Sequence, residues 1–164
     1  NAQVHTLGLW DDVYHAVKGD YPDVQSSSLL VDAAAMDFVR KPEVFDVVVA
    51  SNLFGDILTD LSAMITGSVG LGASANLNPE RAFPSMFEPL HGSAPDIAGK
   101  GIANPLAAIL SAKLMLDHLG YEKSASAMHA AIARVLKEGK VRTPDLGGKA
   151  TTVEMANAVI SALG

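Results

Sequence analysis

The sequence predicts an α/β protein, and three observations predict it. Helical apolar spacing alternates with short apolar runs in the first third of the chain. One of those runs, Phe45–Ala50 (FDVVVA), is β-branched on both faces, the pattern of a strand buried in a parallel or mixed sheet. From Pro105 onward three helical patterns follow one another. At 164 residues, with 49% apolar and only 18% charged side chains, the chain has the material for a globular core.

Each element has its own signal. Leu9, Trp10, Val13 and Val17 fall at helical spacing and predict a helix over residues 7–18, closed by Gly19 and Pro22. The run from Val24 to Val31 predicts a strand that delivers Asp32, followed by a short helix from about Ala33 to Arg40, which Pro42 stops. After the Phe45–Ala50 strand, Ser51 and Asn52 open a helix over residues 53–66 with Leu53, Ile57, Leu61 and Met64 on one face. Beyond Gly67 the texture turns to Gly, Ser, Asn and Pro, with short extended pieces near residues 73–77 and 86–87, and this is the expected domain crossing. A helix over residues 105–119 has Asn104 as N-cap, Pro105 at the favoured first position and Gly120 just past its end. The next, about residues 122–138, stops at Gly139, and after the turn Thr143–Gly148 (TPDLGG) a Thr151-x-x-Glu154 capping box starts the last.

Composition removes several function classes. A formal charge of −6 with no Lys/Arg cluster argues against nucleic acid as a partner. Without cysteine there is neither a disulfide framework nor a thiolate metal site, which fits a cytoplasmic protein. The longest apolar run, from Pro105 to Ala112, is far short of the roughly 20 residues of a membrane span. Asn1 reads as an internal residue, so the chain is expected to be a piece of a longer protein.

Two stretches carry candidate chemistry. In Phe87–Pro105 (FEPLHGSAPDIAGKGIANP) three glycines and three prolines build a loop that is neither helix nor strand. It offers an imidazole (His91), a small-residue turn (Gly92, Ser93, Ala94), Pro95, one carboxylate (Asp96) and the Asn104 cap. Such an inventory suits a nucleotide, although a plain structural connection would also use it. Upstream, Asp56 and Asp60 stand four residues apart and so project from one helix face, directly after the apolar strand; Asp32 occupies a similar place after the other. Carboxylates without thiolates select a hard cation, Mg²⁺ or Mn²⁺, while a solvated acidic helix start remains the simpler alternative.

The strings VDAAAM, FDVVVASNLFGDILTD, FEPLHGSAPDIAGKGIANP and TPDLGG resemble, in order and spacing, the C-terminal half of the isocitrate/3-isopropylmalate dehydrogenase superfamily of β-decarboxylating dehydrogenases. Within it, SANLNPERAFPSMFEPLHGSAPDI and TPDLGGKATT look most like the tartrate dehydrogenase/D-malate dehydrogenase branch. The resemblance implies an isopropylmalate dehydrogenase-like mixed sheet flanked by helices, not a true Rossmann fold. Residues 1–66 would belong to the smaller dimerisation and metal-binding domain and residues 67–164 to the larger NAD-binding domain. It further implies NAD- and metal-dependent oxidation, with decarboxylation, of a 2-hydroxy diacid by a homodimer. Asp56 and Asp60 would bind Mg²⁺ or Mn²⁺, with Asp32 reaching over from the second subunit. NAD would lie on His91, Gly92, Ser93, Ala94, Pro95, Asp96 and Asn104. Asp96 would take the ribose hydroxyls and repel a 2′-phosphate, where the NADP-using isocitrate branch typically has a Lys–Tyr pair in place of Asp96–Ile97. Glu88 would face the nicotinamide end.

The family's catalytic Tyr and Lys and its substrate-binding arginines would lie upstream of Asn1, so these 164 residues alone are expected to be inactive. Two alternatives stand beside this expectation: 3-isopropylmalate as the substrate, and a non-catalytic nucleotide- or metal-binding subunit.

Overall fold

The computed structural model describes residues 4–164. The chain divides into two compact units, residues 1–62 and 63–164.

The first unit is helical. Helix α1 spans Val4–Asp20 and α2 spans Val31–Arg40; α3, Asn52–Ile65, begins in this unit and ends in the next. The helix expected from about Ala33 starts two residues earlier, with Ala34 NH donating to the Leu30 carbonyl at 2.8 Å. It ends before Pro42, where a single 3-10 turn (Pro42–Val44) follows. Phe38 and Phe45 stack with ring centroids 4.6 Å apart.

Both strands expected in this unit are absent. Residues 24–30 and 45–50 carry no ladder, and Val31 already belongs to α2. The reason is physical: a helix closes its hydrogen bonds within its own segment, whereas a strand needs a neighbour's N–H and C=O groups. Phe45–Ala50 has the side chains of a buried strand and no partner strand among the described residues, so Val47 and Val49 remain 86% and 78% exposed. The first run is instead tied by side chains, Tyr14 Oη donating to Ser26 Oγ at 3.1 Å and Lys18 Nζ to the Ser26 carbonyl at 3.3 Å.

The second unit has a real core. A two-stranded antiparallel ribbon pairs β1 (Ala73–Asn76) with β2 (Met86–Pro89), Ser74 opposite Glu88 and Asn76 opposite Met86. This ribbon is all of the expected mixed sheet that forms among the described residues. Helix α4 (Leu106–His118) packs against the ribbon and against α5 (Glu122–Glu138), and α5 packs against α6 (Thr152–Leu163). Leu106, Ile132, Val135, Met155 and Val159 are buried together, with Leu71, Ile109 and Met128 packed around them.

The C-terminus of α5 and the start of α6 follow their sequence signals, while α1 runs through Gly19 to Asp20. Gly139 closes α5 at φ 64°, a left-handed conformation costly for a side chain, and its N–H donates to the Val135 carbonyl at 3.1 Å. Thr151 and Glu154 form the capping box: Thr151 Oγ1 accepts from the Glu154 N–H at 3.2 Å, and Glu154 Oε2 accepts from the Thr151 N–H at 2.7 Å. The helix expected from Pro105 starts one residue later, at Leu106, with Pro105 and not Asn104 at its N-cap; Asn104, one position further out, still accepts from the Leu106 N–H through Oδ1 at 3.0 Å. No helix among the described residues is long and apolar enough to cross a membrane.

Candidate functional site

The loop that leads from β2 to α4 is pinned at both ends. At its start the Leu90 N–H donates to the Gly72 carbonyl at 2.9 Å; at its end the Thr152 N–H donates to the Gly101 carbonyl at 2.8 Å, and Thr152 Oγ1 donates to the Ala103 carbonyl. Between these anchors Ala94 adopts φ 43°, ψ 63°, left-handed for a residue with a side chain, and leads into a single 3-10 turn at Pro95–Ile97.

His91, Gly92, Ser93, Ala94, Pro95 and Asp96 form one continuous exposed ribbon. The His91 ring Nδ1 lies 3.0 Å from the Gly92 carbonyl. Neither the Ser93 hydroxyl nor the Asp96 carboxylate is used in a hydrogen bond among the described residues, so both are available to a ligand. A hydroxyl, a carboxylate and an imidazole on one turn are the donor and acceptor types that hydroxyls and a flat ring can pair with. Glu88, on β2, is also exposed.

Asn104 does not join that exposed ribbon. It is buried, and its amide is engaged at both ends: Oδ1 holds the start of α4, and Nδ2 donates to Asp145 Oδ2 at 2.9 Å. The same carboxylate oxygen accepts from Ser68 Oγ at 2.5 Å. Burial pushes the Asp145 carboxyl up, but hydrogen bonding from Ser68, Thr143, Asn104 and its own backbone N–H outweighs this and holds it below the usual carboxylate value of 3.8. Thr143 is fully buried, and its Oγ1 lies close enough to favour the charged carboxylate without meeting good hydrogen-bond geometry with any partner. Ser68, Thr143 and Asp145 were not among the expected site residues. Ser68 and Asn104 lie 77 and 41 positions from Asp145, so nothing local in the sequence announces their meeting.

The candidate metal ligands lie on the first unit. Asp56 and Asp60 are one turn apart on α3 and both exposed, and no hydrogen bond among the described residues uses either carboxylate. Thr59 Oγ1 donates instead to the Asp56 backbone carbonyl, at 3.0 Å. Asp32 is exposed in the first turn of α2, where its Oδ1 accepts from the Ala33 N–H at 2.8 Å. Two hard oxygen donors on one helix face suit an octahedral divalent cation that keeps open positions for other ligands. No cluster of three His, Cys, Asp or Glu side chains forms among the described residues, so Asp32 does not join Asp56 and Asp60 within this chain.

A profile described as isocitrate/isopropylmalate dehydrogenase matches residues 2–159. A probable tartrate dehydrogenase/decarboxylase of Bacillus subtilis is 49% identical over 163 residues, covering 99% of this chain and 46% of that protein. A 3-isopropylmalate dehydrogenase of Streptomyces avermitilis is 52% identical over 159 residues, 95% of this chain and 46% of the relative. Among solved structures, isocitrate dehydrogenase from Methylococcus capsulatus superposes with a TM-score of 0.91 at 41% identity, over 97% of this chain and 47% of that one. The chain thus spans about half the length of the relatives it matches.

Proposed function

Because the chain belongs to the isocitrate/isopropylmalate dehydrogenase family, we propose that it forms part of an NAD- and divalent-metal-dependent enzyme that oxidises and decarboxylates a 2-hydroxy diacid. Tartrate or D-malate is the first choice of substrate, supported by the relative named tartrate dehydrogenase/decarboxylase that aligns over nearly the whole chain. The 3-isopropylmalate dehydrogenase relative, at 52% identity, makes 3-isopropylmalate the second. The observation that carries the cofactor half is the exposed ribbon His91–Asp96, fixed at both ends with Ser93 and Asp96 unclaimed.

In this proposal Asp96 accepts hydrogen bonds from ribose hydroxyls, and its charge excludes a 2′-phosphate. The turn Gly92–Pro95 lets the nucleotide approach the backbone closely. His91 and Asn104 stand at the adenine end and Glu88 toward the nicotinamide. Asp56 and Asp60 supply oxygen donors to Mg²⁺ or Mn²⁺, and Asp32 supplies a third from the second subunit of a homodimer. NAD and the cation, when bound, provide hydride acceptance and stabilisation of negative charge on substrate oxygens as CO₂ leaves. Residues 1–66 serve the metal and the dimer, and residues 67–164 serve the nucleotide. The proton-transferring Tyr and Lys are assigned to the family's other half, so the 164 residues alone turn over no substrate. The enzyme is assigned to the cytoplasm.

A substrate panel on the protein at its full natural length, with Mn²⁺ and NAD, compares D-malate, tartrate and 3-isopropylmalate. Turnover of one of the first two at the highest kcat/KM supports the proposal, and turnover of none of the three defeats it. Asp56→Asn and Asp60→Asn should each weaken Mn²⁺ binding at least tenfold; unchanged Mn²⁺ affinity would remove these residues from the metal site.

A further inference from the structure

Three segments of residues 63–164 that are far apart in sequence bring polar side chains together. Ser68 from the turn after α3, Asn104 before α4 and Asp145 from the turn before α6 meet at one carboxylate oxygen, Asp145 Oδ2. Ser68 Oγ donates to that oxygen at 2.5 Å and accepts from the Gly70 N–H at 2.9 Å. The backbone at Gly70 runs so close that a Cβ there would stand 2.7 Å from Asp145 Oδ2 and 2.8 Å from Asn104 Cβ. Ser68 and Asn104 are only 3% and 7% exposed, while Asp145 opens to solvent.

The bonding fixes the Asn104 amide without ambiguity. A carboxylate takes only the NH₂ end, and the Leu106 N–H takes only the oxygen. Holding α4 needs the second of these bonds alone. The first does something more: it locks the side-chain torsion of Asn104 and leaves one Nδ2 hydrogen to offer. Ser68 is joined to Asn104 through that shared oxygen, its hydroxyl donating to Asp145 Oδ2 and accepting from the Gly70 N–H. The Ser68 hydroxyl also caps the 3-10 turn Val69–Leu71 by accepting from the Gly70 N–H, so one side chain ties that turn to the carboxylate that holds Asn104.

We propose that Ser68 is a positioning residue of the nucleotide site, which holds Asp145 and through it fixes Asn104 in its ligand-ready orientation before the nucleotide arrives. Preset side chains lower the ordering cost of binding, so the effect falls on affinity and not on the chemical step. The proposal rests on the NAD site described above.

The test uses the protein at its full natural length, measuring KM for NAD, kcat and thermal unfolding. Ser68→Ala should raise KM for NAD about fivefold with kcat within about twofold. Gly70→Ala removes no polar atom but drives a Cβ between the same groups, and should raise KM in the same way, which keeps the test open should Ser68→Ala fail to fold. In an Asp145→Ala background, Ser68→Ala should add less than about twofold, because its partner is already gone. A KM for NAD unchanged in folded Ser68→Ala and Gly70→Ala overturns the positioning role alone. So does a fall in kcat as large as the rise in KM, or an undiminished Ser68→Ala effect without Asp145. Absence of any saturable NAD dependence in the unsubstituted protein overturns the nucleotide site and this role together.

Discussion

Residues 63–164 and residues 1–62 use similar helical patterns and reach different degrees of completion. In the former, α4, α5 and α6 close over Leu106 and Met155, both at 0% exposure, and Ser68 and Asn104 bury their polar groups on a shared carboxylate. In the latter, Val47 and Val49 stand in solvent on a backbone without a ladder, and Met36, Val39, Leu53 and Ile57 are exposed along α2 and α3. The difference follows from which elements can satisfy themselves. Helices close their backbone hydrogen bonds within their own segment, whereas strands depend on neighbours that the described residues do not supply. Residues 63–164 therefore enclose a continuous apolar core, and the described part of residues 1–62 leaves many of its large apolar side chains in solvent.

The largest test of that contrast is Met155→Ala, which empties a fully buried site and should cost about 3 kcal/mol by denaturant unfolding. A loss under about 1 kcal/mol would mean that the three-helix core is no better packed than the first unit. Thr151→Ala removes the hydroxyl half of the α6 capping box and should cost about 1 kcal/mol in the same assay.

A smaller effect is expected from pH. Asp145 has its folded pKa held below 3.8, so between the two values the unfolded chain binds more protons. The stability it contributes is complete above about pH 4 to 5 and is lost as pH falls through the lower folded value. Asp145→Asn should flatten that part of the acid limb, and an unchanged limb would show that the carboxylate does not need its charge. The smallest effect belongs to the first unit: Val47→Thr should change the stability of these 164 residues by no more than about 0.5 kcal/mol. At full natural length the same substitution should cost clearly more, and equal costs would remove the idea that another part of the protein covers this run.

Much of the fold was legible because its signals are local. Thr151-x-x-Glu154 and Gly139 after α5 each name a terminus through hydrogen bonds or dihedrals that span a few residues, and each appears where expected, whereas the N-cap of α4 falls on Pro105, one residue after Asn104. The apolar run Phe45–Ala50 names a strand just as clearly, but its side chains specify only what it would pack against and cannot supply the missing ladder. The candidate site divides in the same way. His91–Asp96 and the Asp56–Asp60 pair are contiguous or one turn apart, and they stand exposed with carboxylates unclaimed.

The sequence by itself determined the presence of the helices, the caps of α5 and α6 and the membership in a dehydrogenase family, because these depend on neighbours along the chain or on strings of residues, while the loop expected from Phe87 begins only after β2 has ended at Pro89. Only the tertiary structure decided that Asn104 is buried and held from both ends, and that Ser68, Gly70 and Asp145 surround it. Those contacts join positions 41 and 77 residues apart, and hydrogen bonds at that separation exist only once the three-helix core has brought the segments together.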